Sequence, residues 1–167
     1  LEMFDVFNYD ITKDIKEYMQ NNWERDIKLR KYITVVDGVT DSCGIIKSYL
    51  KENNIHIMYS SNDGLLAITE YKLIKQNNKY SMLEVILHTG RKNQIRVHMN
   101  DIKHPVIGDT KYSNTVSPIK RMCLHAIEIK FVHPVNKNIT DDKIVSPEKN
   151  ESFLPSSPTA RSTSDST

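Results

Sequence analysis

Between Leu87 and Tyr112 the chain reads LHTGRKNQIRVHMNDIKHPVIGDTKY, and most of its groups fit for chemistry sit there. Gly90 can take a tight backbone conformation that side chains with a Cβ resist, so it turns the chain and presents Arg91, Lys92 and the start of a helix to one place. Free N–H groups at a helix start favour an anion, and arginine grips phosphate or carboxylate with a forked pair of hydrogen bonds. Such a site suits a phosphodiester or a carboxylate. It is equally a strand–turn–helix junction with incidental charge. Gly108-Asp109, following His104-Pro105, is a second turn able to brace the first.

Charge places the same segment at a surface. From His88 to Lys130 there are eight cations against three anions, an excess of five in a chain whose net charge is +2. A basic face on a near-neutral protein suits a polyanion, although charge alone also describes a solvated surface. At 167 residues and 38% hydrophobic, the chain has the size of one domain with a real core. No apolar run reaches the roughly 20 residues of a membrane helix, and no secretory leader pattern opens the chain. Cys43 and Cys123 lie 80 positions apart with no ligand spacing, and they read as reduced thiols of a cytoplasmic protein. Six histidines are present, none at a spacing that points to metal.

The elements that must position these groups follow from periodicity. Residues 13–29 place Ile15, Tyr18, Met19 and Trp23 on one helical face, with Thr12 as cap. KYITVVDG is a strand closed by a turn, and residues 42–54 are ambiguous between helix and irregular structure. IHIMY (55–59) is a strand and SSNDG (60–64) a turn. AITEYKLI (67–74) and KYSMLEVIL (79–87) form an antiparallel hairpin. Ile95, Met99 and Ile102 favour a helix from about Asn93 to Ile102, ended before Pro105. LHAIEIKFVHP is a strand. The Ser/Thr/Pro-rich end reads as disordered, which gives a domain over 1–140 and an extension over 141–167. The fold class is α+β, a mixed and mainly antiparallel sheet with flanking helices.

TGRKNQIRVHM followed by HPVIGDTKY closely resembles the signature of the RluA-type RNA pseudouridine synthases. KYITVVDG, AITEY and RMCLHAIEIKFVHP fit that family in the same order, across roughly residues 11–140. The resemblance implies isomerisation of uridine in RNA without metal or organic cofactor. The base leaves C1′ of its ribose, turns, and is rejoined through C5. It further implies a tyrosine that stacks on the uracil, here Tyr32, and an arginine that pairs with the catalytic aspartate, here Arg96. Arg91, Lys92, Gln94 and His98 are then expected to hold RNA. The implied partner is ribosomal or transfer RNA, bound by a monomer, with no membrane and no metal involved.

One part of the family pattern is missing. No H-R-L-D segment carrying the catalytic aspartate is present, and neither Asp5 nor Asp10 has the preceding residues. The chain therefore reads as the C-terminal part of a synthase, expected to be marginally stable and inactive alone, with a sheet edge left uncovered. A non-catalytic RNA-binding module on the same fold is the alternative.

Overall fold

The computed structural model of the protein describes residues 13–114 and 116–143. Two helices and seven strands follow in the order α1 (Lys13–Asp26), β1 (Ile27–Asp37), β2 (Cys43–Glu52), β3 (Met58–Ser61), β4 (Leu65–Gln76), β5 (Tyr80–Leu87), α2 (Gln94–Asp101), β6 (Leu124–Val132) and β7 (Ile139–Lys143). The strands form one sheet in the order β3-β2-β4-β5-β1-β6-β7. The α+β class holds. Every pairing among the described strands is antiparallel, in keeping with the mainly antiparallel sheet expected.

Both helices lie on one face of this sheet. Tyr32 of β1 stands opposite Val85 of β5, which stands opposite Tyr71 of β4. Val85 and Tyr71 pack with Ile95 and Met99 of α2. Two residues back along β1, and hence on the same face, Arg30 stands opposite Ile129. Ile129 packs with Met19 of α1, together with Ile27 and Phe131. Burying residues such as Leu83, Val85 and Met99 contributes about 1.5–3 kcal/mol each, so the α2 cluster anchors the sheet centre. On the opposite face, Val35 and Tyr80 pack with Ile107 from the long α2–β6 connection, with Met82, Ile119 and Cys123 against them.

Several boundaries differ from expectation, each for a local reason. The first helix ends at Asp26 rather than residue 29, and β1 begins at Ile27 without an intervening loop. The Thr12 cap lies outside the described residues. Residues 43–52 form a strand; the adjacent pair Ile45-Ile46 had masked its alternation, in which only Ile46 packs toward the core. Gly44 makes room there for the ring of Tyr71, which a Cβ would approach to 2.6 Å. The strand expected at 55–59 starts instead at Met58 and takes in Ser60 and Ser61. The shift follows from Asn53, whose Oδ1 accepts from the N–H groups of Ile55 and Ile57 and folds those residues into a turn. The last strand crosses the boundary expected at residue 140. Among the described residues the sheet keeps an open edge, since β3 pairs only with Tyr49–Glu52 of β2 and leaves the outer side of the rest of that strand uncovered. The two edge strands, β3 and β7, have 4 and 5 residues, and short edges offer little for another strand to pair with.

Candidate RNA-binding site

The α2 helix is fastened to the sheet through polar side chains as well as apolar ones. The Gln94 amide uses its full hydrogen-bonding capacity. Its Oε1 accepts from Thr89 Oγ1 (2.8 Å) and Arg91 N (2.9 Å), and its Nε2 donates to Ile68 O (3.0 Å) and Thr69 Oγ1 (2.9 Å). One turn further on, His98 is fully buried, with Nδ1 2.8 Å from Thr69 Oγ1 and Nε2 3.0 Å from Ser48 Oγ. Burial holds its pKa below the ordinary histidine value, which keeps the ring neutral. Neither residue offers a polar atom to a ligand. The expectation that Gln94 and His98 touch RNA is corrected: both position α2 on β4 and β2.

Arg96 has a carboxylate partner within the chain. Its Nε and Nη2 donate to Asp109 Oδ2 (2.8 Å) and Oδ1 (2.7 Å), and its Nη1 donates to Asn93 Oδ1 (3.1 Å). The guanidinium also lies over the Tyr112 ring, 4.7 Å from its centroid. Asp109 Oδ1 further accepts from the N–H groups of Lys111 (2.9 Å) and Tyr112 (3.1 Å). Burial opposes ionisation of this carboxylate, but Arg96 and the two amides outweigh it, and its pKa falls below the ordinary value. The second turn thus braces the first through an ion pair. Spacing did not foretell the pair, because Gly108-Asp109 reads as turn chemistry.

Arg91 and Lys92 stand at the entrance to α2 and keep partial access to solvent. Arg91 donates Nε to Leu66 O (3.0 Å) and Nη1 to Glu24 Oε1 (2.6 Å), which ties α1 to β4. Lys92 bonds Glu52 and is 53% exposed. The two residues border a shallow cleft of about 390 Å³ whose other walls include Leu50, Met58 and Leu65. Glu24 and Glu52 come from distant parts of the chain, so the basic excess counted along the sequence is partly cancelled in space.

Tyr32 lies on the floor between the helices. It is half-buried against the α2 cluster, and burial raises its phenol above the ordinary pKa, so it is neutral. Its hydroxyl makes no hydrogen bond among the described residues. Beside it, Arg30 is 8% exposed, a buried cation that the sequence did not single out. Among the described residues, no three His, Cys, Asp or Glu side chains gather as a metal would need, and no helix is long and apolar enough to cross a membrane.

Part of this chain matches one family. The family model described as RNA pseudouridylate synthase matches residues 12–101, more than half of the chain. The chain belongs to that family, and its relatives place it in the RluA-type branch. An uncharacterized RNA pseudouridine synthase of Helicobacter pylori is 37% identical over 111 residues, covering 65% of this chain and 46% of the relative. A ribosomal large subunit pseudouridine synthase D of Buchnera aphidicola is 33% identical over 129 residues, covering 68% of this chain and 41% of the relative. The chain thus spans less than half the length of these relatives. Human RNA pseudouridylate synthase domain containing 1 superimposes with a TM-score of 0.69 at 22% identity, over 87% of this chain and 63% of that one. At that identity the likeness concerns the fold alone.

Proposed function

We propose that this chain forms the RNA-gripping half of a synthase that converts uridine to pseudouridine in structured RNA, ribosomal RNA first and transfer RNA second. The observation that carries the reading is Tyr32. Within the family-matched region, a neutral phenol whose hydroxyl has no hydrogen bond among the described residues stands on the sheet floor beside α2, flanked by Arg30. An extruded pyrimidine is held by stacking of this kind. Arg91 and Lys92 then meet the backbone at the helix entrance, and neutralising a phosphate releases counterions.

In this reading Arg96 faces the reacting carboxylate, and that carboxylate comes from outside the described residues. Asp109 is unsuited to the role, because four donors from within the chain already occupy its oxygens. Arg96 keeps N–H groups beyond those bonded to Asp109 and Asn93, since a guanidinium carries five. The protein works as a cytoplasmic monomer without a metal.

The test is a map of pseudouridine in ribosomal and transfer RNA from cells with the intact gene, without it, and with Arg96→Ala. At least one modified position should vanish in both altered strains. A map that survives deletion unchanged overturns the reading. A site lost on deletion but kept by Arg96→Ala removes Arg96 from the chemistry.

A further inference from the structure

Arg30 is a cation in the wrong surroundings for a structural one. It is 8% exposed, and its guanidinium makes no hydrogen bond among the described residues. By contrast Arg91 and Arg96 are each tied to a carboxylate. Among the described residues only Thr40 Oγ1 is a fully enclosed side-chain polar atom without a partner, so the Arg30 head group, though its stem is buried, still reaches solvent with its N–H donors unused and open to a ligand.

The surroundings specify that ligand. Glu24, Arg91 and Tyr32 are the charged and titratable groups within electrostatic reach. Glu24 is already bonded to Arg91 at 2.6 Å, so that pair cancels and Arg30 is left uncompensated. On the far side of β1 stands apolar Ile129. Gly90 lies against the guanidinium, where an added Cβ would come within 3.2 Å of Arg30 Cζ and 3.3 Å of Nη2. The absent side chain leaves the head group room at the mouth of the site. Tyr32 follows two residues later on the same face, about 7 Å along the strand, which is the span between the base of one nucleotide and its own phosphate.

We propose that Arg30 is an anion-binding residue of the RNA site, its guanidinium taking the phosphate of the nucleotide whose base lies against Tyr32. The proposal rests on the RNA reading above and deepens it. A protein carboxylate would satisfy the same charge, but it would leave the neighbouring phenol unused and would not need two further cations at the entrance. The phosphate is therefore the favoured ligand.

The experiment compares the chain with its Arg30→Met and Arg30→Lys variants. Binding to a short fluorescein-labelled single-stranded oligouridine is followed by anisotropy between about 50 and 200 mM salt, alongside thermal melts. Arg30→Met should bind about tenfold more weakly, and the slope of log affinity against log salt should fall by about 0.7. Its melting temperature should stay close to that of the parent, because Arg30 has no hydrogen-bond partner to lose among the described residues. Arg30→Lys should restore the slope and only part of the affinity, since an ammonium lacks the fork. An unchanged slope in Arg30→Met overturns the proposal. If that variant also melts lower, Arg30 serves a carboxylate within the protein instead. A parent chain that binds no RNA defeats the broader reading, and this proposal with it.

Discussion

Asp109→Ala is expected to lower the unfolding free energy by about 3–5 kcal/mol, the range for removing one partner of a buried ion pair. The carboxylate side chain is 1% exposed, and it holds Arg96 with two hydrogen bonds and the amides of Lys111 and Tyr112 with two more. Alanine strands all four donors. Arg96 is 18% exposed and can turn part-way to water, which puts the expected loss toward the lower end of the range. Asp109→Asn should fare little better, because its amide nitrogen turns one acceptor into a donor facing Arg96. The pH dependence has a definite sign. The folded carboxyl titrates below its unfolded value of roughly 3.9. Its stabilisation is therefore fully present above that value and is lost as the pH falls through the folded pKa. Urea unfolding at pH 7 and again near pH 3 should show the parent's margin over the Asp109→Asn variant narrowing as the pH falls.

Gly108→Ala is expected to cost about 2–4 kcal/mol, combining backbone strain with overpacking. Gly108 has φ +78°, which alanine resists. Independently, a Cβ at this position would lie 2.0 Å from Arg121 O and 2.5 Å from Arg121 C. Those are main-chain atoms, and the segment behind them is pinned. Cys123 N donates to Ile107 O (2.8 Å) and Val35 N donates to Cys123 O (3.0 Å). Relief would have to move the loop that carries Asp109, so Arg96 should loosen as the protein is destabilised. Denaturant midpoints measure the first effect. Lost protection of the Lys111 and Tyr112 amides from hydrogen exchange measures the second.

Much of the sheet could be read from alternation, because over most of β4 and β5 one face packs on α2 while the other is more exposed. The β1 and β6 strands and the short α2 are legible as well. β2 escaped because Ile45 is an exposed apolar residue next to the inward Ile46, and such pairs erase a two-residue period. The end of α1 escaped because nothing between Asp26 and Ile27 breaks a helix; only burial of Ile27 against Phe131 selects the strand. For the site, residue type misled where burial decided. His98 and Gln94 lie beside the predicted Ile95–Met99 stripe, and the buried arc of α2 proved wide enough to take them in. Arg30, in KLRKYITVV, has the type of a surface cation. Its one readable signal is its position two residues before Tyr32, on the same strand face.

The account stands or falls on where RNA lies, and amide chemical shifts during titration of the labelled chain with a single-stranded uridine-containing RNA locate it most directly. The account predicts that Arg30, Tyr32, Gly90 and Arg91 move together, along with Glu24 at the edge of α1. Shifts confined to Lys47 and Lys72, exposed on the sheet face away from both helices, would contradict it.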